Sequence, residues 1–259
     1  MLLETDSKIL NGHTDEAQLI RFERKLNKKR NKQQRYEDIN KNHLQLKKIN
    51  PLTENQKLAF KSWNSGFNLL LHGLAGTGKS YISLYLALKE ILSNDSQYKN
   101  IVIVRSAVPT RDIGFLPGSV KDKTKIYELP YQTICTDLFG RGDAYELMKT
   151  KRVIDFMTTS FIRGNTFYDT IMIVDEVNNM NFHELDSVIT RLGENCRLMM
   201  CGDYRQSDLG RYEKNDLLSF IRILDDMKGF FHVEFQIEDI VRSGLVKEYI
   251  IAKHKHGLT

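Results

Sequence analysis

NLLLHGLAGTGKS, residues 68–80, joins a short apolar run to a glycine-rich loop. Its first five residues, 68–72, predict a β-strand, and a helix is predicted from Lys79 to Leu92. Residues 73–80 follow the pattern G-x-x-x-x-G-K-S, in which backbone N–H groups and the helix N-terminus face a bound phosphate. The sequence therefore predicts a phosphate-binding loop between a strand and a helix.

Each residue type in this loop has a physical task. Three glycines allow the backbone to wrap inward, and Lys79 brings a point charge to the β and γ phosphates of a nucleotide. The Ser80 hydroxyl is a predicted ligand for Mg²⁺. A glycine-rich turn that arose by chance is the alternative, and the strand–loop–helix context argues against it. The residues predicted to bind the nucleotide are Gly73, Gly76, Thr77, Gly78, Lys79 and Ser80.

A second motif, IMIVDE at 171–176, is an apolar strand that ends in two acids. Ligands of open α/β folds sit at the carboxyl edge of the sheet, where these acids would lie. Asp175 is predicted to hold the Mg²⁺ shell through water, and Glu176 to polarise the attacking water. Two solvated acids that cap a strand are the alternative. The adjacent second acid favours a hydrolase over a kinase-like phosphate binder.

A third motif, MMCGDYRQ at 199–206, is a strand followed by a Gly-Asp loop. Gln206 is a candidate sensor of the γ-phosphate or of the attacking water, and Asp203 a candidate for orienting that neighbourhood. A Gly-Asp pair after a strand is by itself most often only a turn. This motif gains weight only from the other two.

Further apolar runs of strand length alternate with helical segments along the chain. The alternation predicts an α/β fold with a mostly parallel sheet flanked by helices. Residues 111–150 are the weakest region, with a GFLPG loop at 114–118 and then one helix. The other predicted strands are 101–104, 154–157, 171–174, 197–201 and 231–235, and the other predicted helices lie near 182–192, 215–227 and 245–253.

The net charge of +5 lies entirely in the first fifth of the chain. Residues 1–50 hold 12 Lys/Arg against 7 Asp/Glu, whereas residues 51–259 hold 26 of each. Pro51 marks the predicted boundary, because the residue before a proline disfavours helix. We expect a basic arm at 1–50, helical or partly ordered, followed by one domain at 51–259. Nucleic-acid binding and a solvated or inter-subunit helix are both compatible with such an arm.

Several classes of protein are disfavoured by composition. No run of apolar residues approaches the 18 or so that a transmembrane helix needs, and the N-terminus has acids where a secretory signal would be basic and apolar. The three cysteines are odd in number and form no C-x-x-C pair, which favours a reducing compartment. We therefore expect a cytoplasmic protein without membrane partners.

Together the motifs resemble the PhoH-like P-loop ATPases, whose core is similar to the first motor domain of superfamily 1 helicases. The resemblance implies a RecA-like P-loop NTPase fold, ATP and Mg²⁺ as cofactors, ATP hydrolysis, and action on RNA or single-stranded DNA. It spans residues 51–252 and rests on GLAGTGKS at 73–80, VRSAVPTRDIGFLPGSVKDK at 104–123, SFIRGNTFYDTIMIVDE at 160–176, CGDYRQSDL at 201–209 and DIVRSGLV at 239–246.

The resemblance also implies roles for three further residues. Gln56 matches a glutamine that reads adenine; the alternative is a capping-box residue, since Thr53 precedes it at Thr-x-x-Gln spacing. Arg163 and Arg242 match arginines that face the γ-phosphate from the same or a neighbouring subunit, as catalytic groups. Surface salt bridges are the alternative for both arginines.

The chain departs from the family pattern at two places. Arg105-Ser106 stands where the family usually has Arg-Pro, and Val177-Asn178 stands where it usually has Ala-Gln after the acid pair. The second change puts in doubt a coupling role for a glutamine there. Neither change touches the residues predicted to bind phosphate.

The chain has room for one motor domain, whereas helicases of the resembled class join two with ATP between them. A homo-oligomeric ring, expected to be a hexamer, would supply the second side of the site and its arginine. Phe115 and Phe161 are candidates for stacking on bases, with core packing as the alternative. The alternative functions are a slow nucleotide-gated assembly or binding module without motor activity, and a kinase-like phosphotransferase.

Overall fold

One parallel sheet organises the computed structural model of this chain, which describes residues 44–106, 120–203 and 211–256, without the side chains of 120–124 and 211–216. The chain divides into two compact units, 1–45 and 46–259, and the fold described here is that of the second. The predicted basic arm lies almost wholly outside the described residues, so its conformation stays a prediction.

Six strands of the described chain form a single sheet in the order β3-β2-β4-β5-β1-β6, and every neighbouring pair is parallel. The predicted α/β class is thereby confirmed, and each predicted strand is found within one residue of its predicted bounds. The strands are β1 (Asn68–Gly73), β2 (Asn100–Arg105), β3 (Ile154–Thr158), β4 (Thr170–Asp175), β5 (Arg197–Gly202) and β6 (Phe230–Phe235).

Helices cover the sheet, and the two central strands are buried almost throughout. All six residues of β4 are buried, as are five of the six in β5, which explains their continuous apolar runs. The described helices are α1 (Glu54–Asn64), α2 (Lys79–Ile91), α3 (Val120–Phe139), α4 (Ala144–Thr150), α5 (Thr159–Ile162), α6 (Phe182–Thr190), α7 (Arg211–Asp225) and α8 (Gly244–Lys255).

The strand order brings the phosphate loop and the acid pair to one edge. β5 lies between β1 and β4, so that Cys201 pairs with Leu71 on one side and with Asp175 on the other. All three strands are parallel, so their carboxyl ends open onto the same edge. The three motifs predicted to act together therefore meet there.

Three parts of the helical prediction were incomplete. Residues 111–150 were expected to hold one helix after the GFLPG loop, but α3 and α4 both lie there, and the loop itself falls outside the described residues. Pro130 lies inside α3, and a proline there removes a helical hydrogen bond, which made the long helix hard to recognise. The helix α1 was not predicted, although the Thr53 cap pointed to its start, and the four-residue helix α5 was not predicted either.

The segment just before Pro51 packs on the domain. The Lys47 N–H donates to the Leu138 carbonyl at 2.8 Å, and the Ile49 N–H donates to the Tyr85 hydroxyl at 3.4 Å. In the part of the chain that the structure describes, no helix is long and apolar enough to cross a membrane. The predicted domain boundary at residue 50 stays a prediction.

Gly73→Ala is expected to lower the free energy of unfolding without nucleotide by at least about 2 kcal/mol. Gly73 has φ +112°, and an added Cβ would lie 2.2 Å from the Phe235 carbonyl oxygen, so β1 and β6 could not keep their spacing. The measurement is denaturant unfolding. Gly142→Ala is the control, since nothing lies within 4 Å of that position. Equal stability of the two variants would contradict the packing.

Candidate nucleotide and hydrolysis site

The loop after β1 has a backbone shape that requires glycine. Gly73, Gly76 and Gly78 have φ of +112°, +77° and +84°, a region that other residues adopt at a cost. A Cβ on Gly76 would lie 2.9 Å from Cγ of Arg242. Gly78 is the left-handed N-cap of α2, so the free N–H groups of that helix face the loop. The loop thus has the form of an anion cradle.

The Lys79 ammonium lies folded over this cradle. Its Nζ donates to the carbonyls of Gly73 and Leu74, each at 2.7 Å. The Thr77 hydroxyl is fully buried and donates to the Leu74 carbonyl at 2.9 Å, which fixes the loop from inside. Burial lowers the pKa of Lys79, and the nearby carboxylates of Asp203 and Asp175 are among the groups that oppose the shift.

Ser80 and Asp175 are joined directly, although 95 residues separate them. The Ser80 hydroxyl donates to Oδ1 of Asp175 at 2.9 Å, and the Glu176 N–H donates to the same oxygen at 3.1 Å. The Tyr131 hydroxyl, from α3, donates to Oδ2 at 2.8 Å. Only 8% of Asp175 is exposed, so every oxygen of this carboxylate faces a protein donor or the cleft.

This donor set fits Mg²⁺. It offers one hydroxyl and one carboxylate, both oxygen donors, beside a cradle for phosphate. Mg²⁺ is commonly held by one or two carboxylates with waters and substrate phosphates rather than by a protein cage. Among the described residues no group of three or more His, Cys, Asp or Glu side chains could hold a metal ion. The residues present therefore suit a cation that arrives with phosphate.

Glu176 is held by an arginine from the neighbouring strand. Arg105, at the end of β2, donates from Nε to Oε2 at 3.0 Å and places a terminal nitrogen 2.5 Å from Oε1. Its guanidinium lies over the Tyr127 ring, 5.4 Å from the ring centre. Glu176 itself has φ +55°, an uncommon conformation at which the chain turns away from β4. The side chain predicted to polarise water is thus oriented by a bidentate ion pair.

Two asparagines connect Glu176 with the end of β5. Asn179 donates to Oε2 of Glu176 at 3.4 Å, and Asn178 donates to Asn179 at 3.1 Å. The Asp203 N–H donates to Oδ1 of Asn178 at 3.1 Å. The asparagine that replaces the family's glutamine therefore still joins the second and third motifs. Gln206, the predicted sensor, lies outside the described residues.

Gln56 uses both ends of its amide within the chain. Its Oε1 accepts from the Leu52 N–H at 2.7 Å, and its Nε2 donates to the Thr77 carbonyl at 3.1 Å. The Gln56 N–H donates to Thr53 Oγ1 at 3.3 Å, which is one half of the capping box. With 4% of the residue exposed, this geometry favours an anchor between α1 and the loop, and adenine reading stays a prediction.

The two predicted arginines lie in different places. Arg242 is exposed and lines the cleft, and the adjacent Val241 N–H donates to the Gly76 carbonyl at 3.0 Å. Arg163 is exposed at the end of α5 and is not among the residues that line the cleft.

The cleft has a volume of about 1350 Å³, more than the ~300–1,000 Å³ of most ligand pockets. Its walls combine the loop, both acids, α3, Lys253 of α8, and Ile49, Asn50 and Leu52.

Three residues of this site were given no role from the sequence. Tyr131, Arg105 and Asn179 bear on Asp175 or Glu176 directly. Tyr131 and Arg105 precede the acids by 44 and 71 residues, and no spacing rule connects them. The contact of Asn179 could have been found from the sequence, because this residue follows Glu176 by three positions, the separation of one helical turn.

Comparison with known proteins identifies relatives for most of this chain. Residues 48–253 match the sequence model of a family described as PhoH-like protein. The PhoH-like protein of Bacillus subtilis is 31% identical over 71% of this chain and 57% of its own length. The PhoH-like protein of Mycobacterium tuberculosis H37Rv is 30% identical over 80% of this chain and 58% of its own length. Protein PhoH of Escherichia coli K12 is 30% identical over 70% of this chain and 51% of its own length. The chain spans little more than half the length of these relatives.

Solved structures with a related chain path are more distant. The large terminase of the thermophilic bacteriophage D6E has a TM-score of 0.46 at 12% identity, covering 79% of this chain and 50% of the terminase chain. A Bacteroides Pif1 bound to single-stranded DNA has a TM-score of 0.37 at 14% identity, covering 82% of this chain and 46% of its own.

Lys79→Met is expected to remove nucleotide binding and leave the fold intact. The two carbonyl contacts and the nearby carboxylates offset only part of the cost of burying the ammonium, so the free energy of unfolding without ligand should stay within about 1 kcal/mol of the parent. The parent should gain about 2.7 kcal/mol from ATP·Mg²⁺ at a hundred times its Kd, and the variant nothing. Thermal unfolding with and without ligand measures both. Lys89→Met, at an exposed position of α2, is the control, and a ligand-stabilised Lys79→Met protein would refute the assignment.

Proposed function

The chain belongs to the family of PhoH-like proteins, and on this premise we propose that it binds ATP with Mg²⁺ and hydrolyses it. We further propose that hydrolysis is coupled to binding or remodelling of RNA or single-stranded DNA. The observation that carries the proposal is the 2.9 Å hydrogen bond from Ser80 to Asp175, which joins the phosphate loop to the acid strand. A phosphate anchor without an adjoining carboxylate would support binding alone.

The proposed mechanism assigns each step to a side chain at the carboxyl edge. Loop N–H groups and Lys79 bind the phosphates, and Ser80 and Asp175 hold the metal ion. When bound, Mg²⁺ supplies charge neutralisation for the phosphate oxygens. Glu176 accepts the proton of the attacking water. Arg105 holds that carboxylate by two contacts. Glu176 therefore reaches the water only when this ion pair loosens or when both side chains turn together.

In this proposal, Arg242 and Arg163 reach the γ-phosphate from different chains. Arg242 acts from within the same chain, because it lines the cleft beside Gly76. Arg163 acts from a neighbouring subunit, because it is exposed and lies away from its own cleft. A closed homo-oligomeric ring, expected to be a hexamer, brings the second arginine in. Full activity of a species that light scattering shows to be monomeric would overturn the ring.

A slow nucleotide-gated binding module is the second candidate, and one observation favours it. The bidentate pairing of Glu176 with Arg105 engages both carboxylate oxygens, as expected for a resting base. Multiple-turnover rates with and without single-stranded RNA separate the two, since only a coupled ATPase accelerates. Release of free phosphate, seen by thin-layer separation, distinguishes either from a kinase-like phosphotransferase.

Glu176→Gln is expected to retain ATP binding and to lose turnover by about 10²-fold or more, because an amide cannot accept the proton. The measurement is single-turnover phosphate release at saturating ATP, beside an equilibrium binding titration. Glu194→Gln, an exposed glutamate in the loop before β5, is the matched control and should be unchanged. An equal loss of affinity and rate would assign Glu176 to metal binding instead.

Nucleic-acid binding is supported by the basic arm and by an exposed aromatic residue. Residues 21–48 hold 11 basic against 3 acidic residues. Phe161 is 53% exposed on α5, two residues from the exposed Arg163, at the carboxyl end of β3. Aromatic stacking and phosphate pairing are the two contacts that bind single strands without sequence preference. Phe115 lies outside the described residues.

Deletion of residues 1–43 is expected to flatten the salt dependence of single-stranded RNA binding and to leave basal ATP turnover intact. About five phosphate contacts give a slope of log affinity against log salt near −3.5, from about −0.7 per contact. The deletion spares Lys47, whose backbone bonds to Leu138. The full-length triple variant Lys28→Gln, Lys29→Gln and Arg30→Gln should show an intermediate slope. An unchanged slope in both would move nucleic-acid binding to the core.

A further inference from the structure

One tyrosine of α3 pins the carboxylate predicted to hold the metal ion. The Tyr131 hydroxyl donates to Oδ2 of Asp175 at 2.8 Å, and only 1% of Tyr131 is exposed. Its ring packs against Phe156 of β3, with 5.9 Å between ring centres. The hydroxyl therefore has a fixed position, set by core packing rather than by the cleft.

The two oxygens of Asp175 are held by different kinds of partner. Oδ1 accepts from Ser80 and from the Glu176 N–H, both of which belong to the site. The terminal torsion of an aspartate is broad, so contacts at one oxygen leave the plane of the carboxylate free to turn. A donor at Oδ2 removes that freedom. Ser80 is itself a proposed metal ligand, whereas Tyr131 has no other task in the site.

The same helix supports the second acid. Tyr127 precedes Tyr131 by one helical turn, so both side chains project from one face of α3. The Tyr127 ring lies under the guanidinium of Arg105, which in turn pairs with Glu176. One face of α3 thus supplies both the hydroxyl that bonds to Asp175 and the ring that contacts the arginine paired with Glu176.

We propose that Tyr131 is a positioning residue for the metal site: its hydroxyl holds the carboxylate of Asp175 in the orientation that Mg²⁺ binding requires. The inference rests on the proposed function and assigns a residue that neither the motifs nor the family pattern indicates. Outer-shell partners of this kind typically change metal affinity by about 10- to 100-fold when removed. The metal affinity of the site then depends on where α3 lies.

A second tyrosine provides the matched control. The Tyr145 hydroxyl donates to Oε2 of Glu128 at 2.7 Å, and Tyr145 is likewise 1% exposed. Tyr145 and Glu128 do not line the cleft. Tyr145→Phe therefore deletes a buried hydrogen bond from a tyrosine to a carboxylate of the same helix, α3, without removing a contact to Asp175 or Glu176, and Lys149 keeps its ion pair with Glu128. Any effect common to both variants is a loss of packing or stability.

The test measures Mg²⁺ dependence of nucleotide binding without hydrolysis. A fluorescent ADP analogue is titrated onto the full chain over a series of Mg²⁺ concentrations and in EDTA. Tyr131→Phe should raise the half-maximal Mg²⁺ concentration about tenfold and leave the affinity in EDTA unchanged. Tyr145→Phe should match the parent in both. Turnover of Tyr131→Phe should recover at saturating Mg²⁺, which separates metal affinity from catalytic rate.

A double variant identifies the route of the effect. In an Asp175→Asn background, Tyr131→Phe should change the Mg²⁺ dependence no further, because the two residues act as one unit. The same tenfold change in both backgrounds would overturn the inference. So would a parent-like Mg²⁺ dependence of Tyr131→Phe, or a lower unfolding midpoint with weaker binding in EDTA. If the parent chain binds the nucleotide analogue under no condition, the proposed function itself fails.

Discussion

The hydrogen bond from Ser80 to Asp175 is the contact on which the site depends. It joins the first turn of α2 to the last residue of β4, and it forms only if the ends of β1 and β4 lie at one edge of the sheet. Parallel pairing through β5 meets that condition, because the strand between them keeps both in the same direction and register. The buried apolar strands are therefore the cause of the polar geometry, and a displaced strand would separate the two motifs.

Lys79 shows why such an edge is built for an anion. A buried ammonium bonded to two carbonyls is desolvated, and the direction of its pKa shift reflects that cost. One of the carboxylates that offset part of the cost, Asp175, is also the proposed metal ligand. A phosphate entering the cradle would satisfy the lysine and the free N–H groups of α2 together. The loop is preorganised for a charge that it does not itself contain.

The strands were predictable from sequence to within one residue, because buried parallel strands appear as continuous apolar runs bounded by polar residues. The phosphate loop and the acid pair were predictable because their spacing is local. Tyr131 and Arg105 were not, since their contacts with Asp175 and Glu176 arise from packing of α3 and β2 against β4. A helix was predicted after the GFLPG loop without bounds, and Pro130 lies inside the 20-residue α3 that is found there. The position of the loop and of the two acids at one edge of the sheet was thus predictable, whereas the contacts that orient the side chains of the acids were not.

The backbones of the two acids and their carboxylates are positioned by different elements. The sheet fixes the backbone of Asp175 and Glu176, but it leaves the carboxylate of each free to rotate. Orientation comes from α3, through the Tyr131 hydroxyl for one acid and through Tyr127 beneath Arg105 for the other. Because both supports lie on one helix face, a shift of α3 alters both carboxylates at once. In the proposed mechanism, metal binding and the orientation of the base are therefore coupled through α3, and a contact that moved this helix would change hydrolysis without touching the nucleotide.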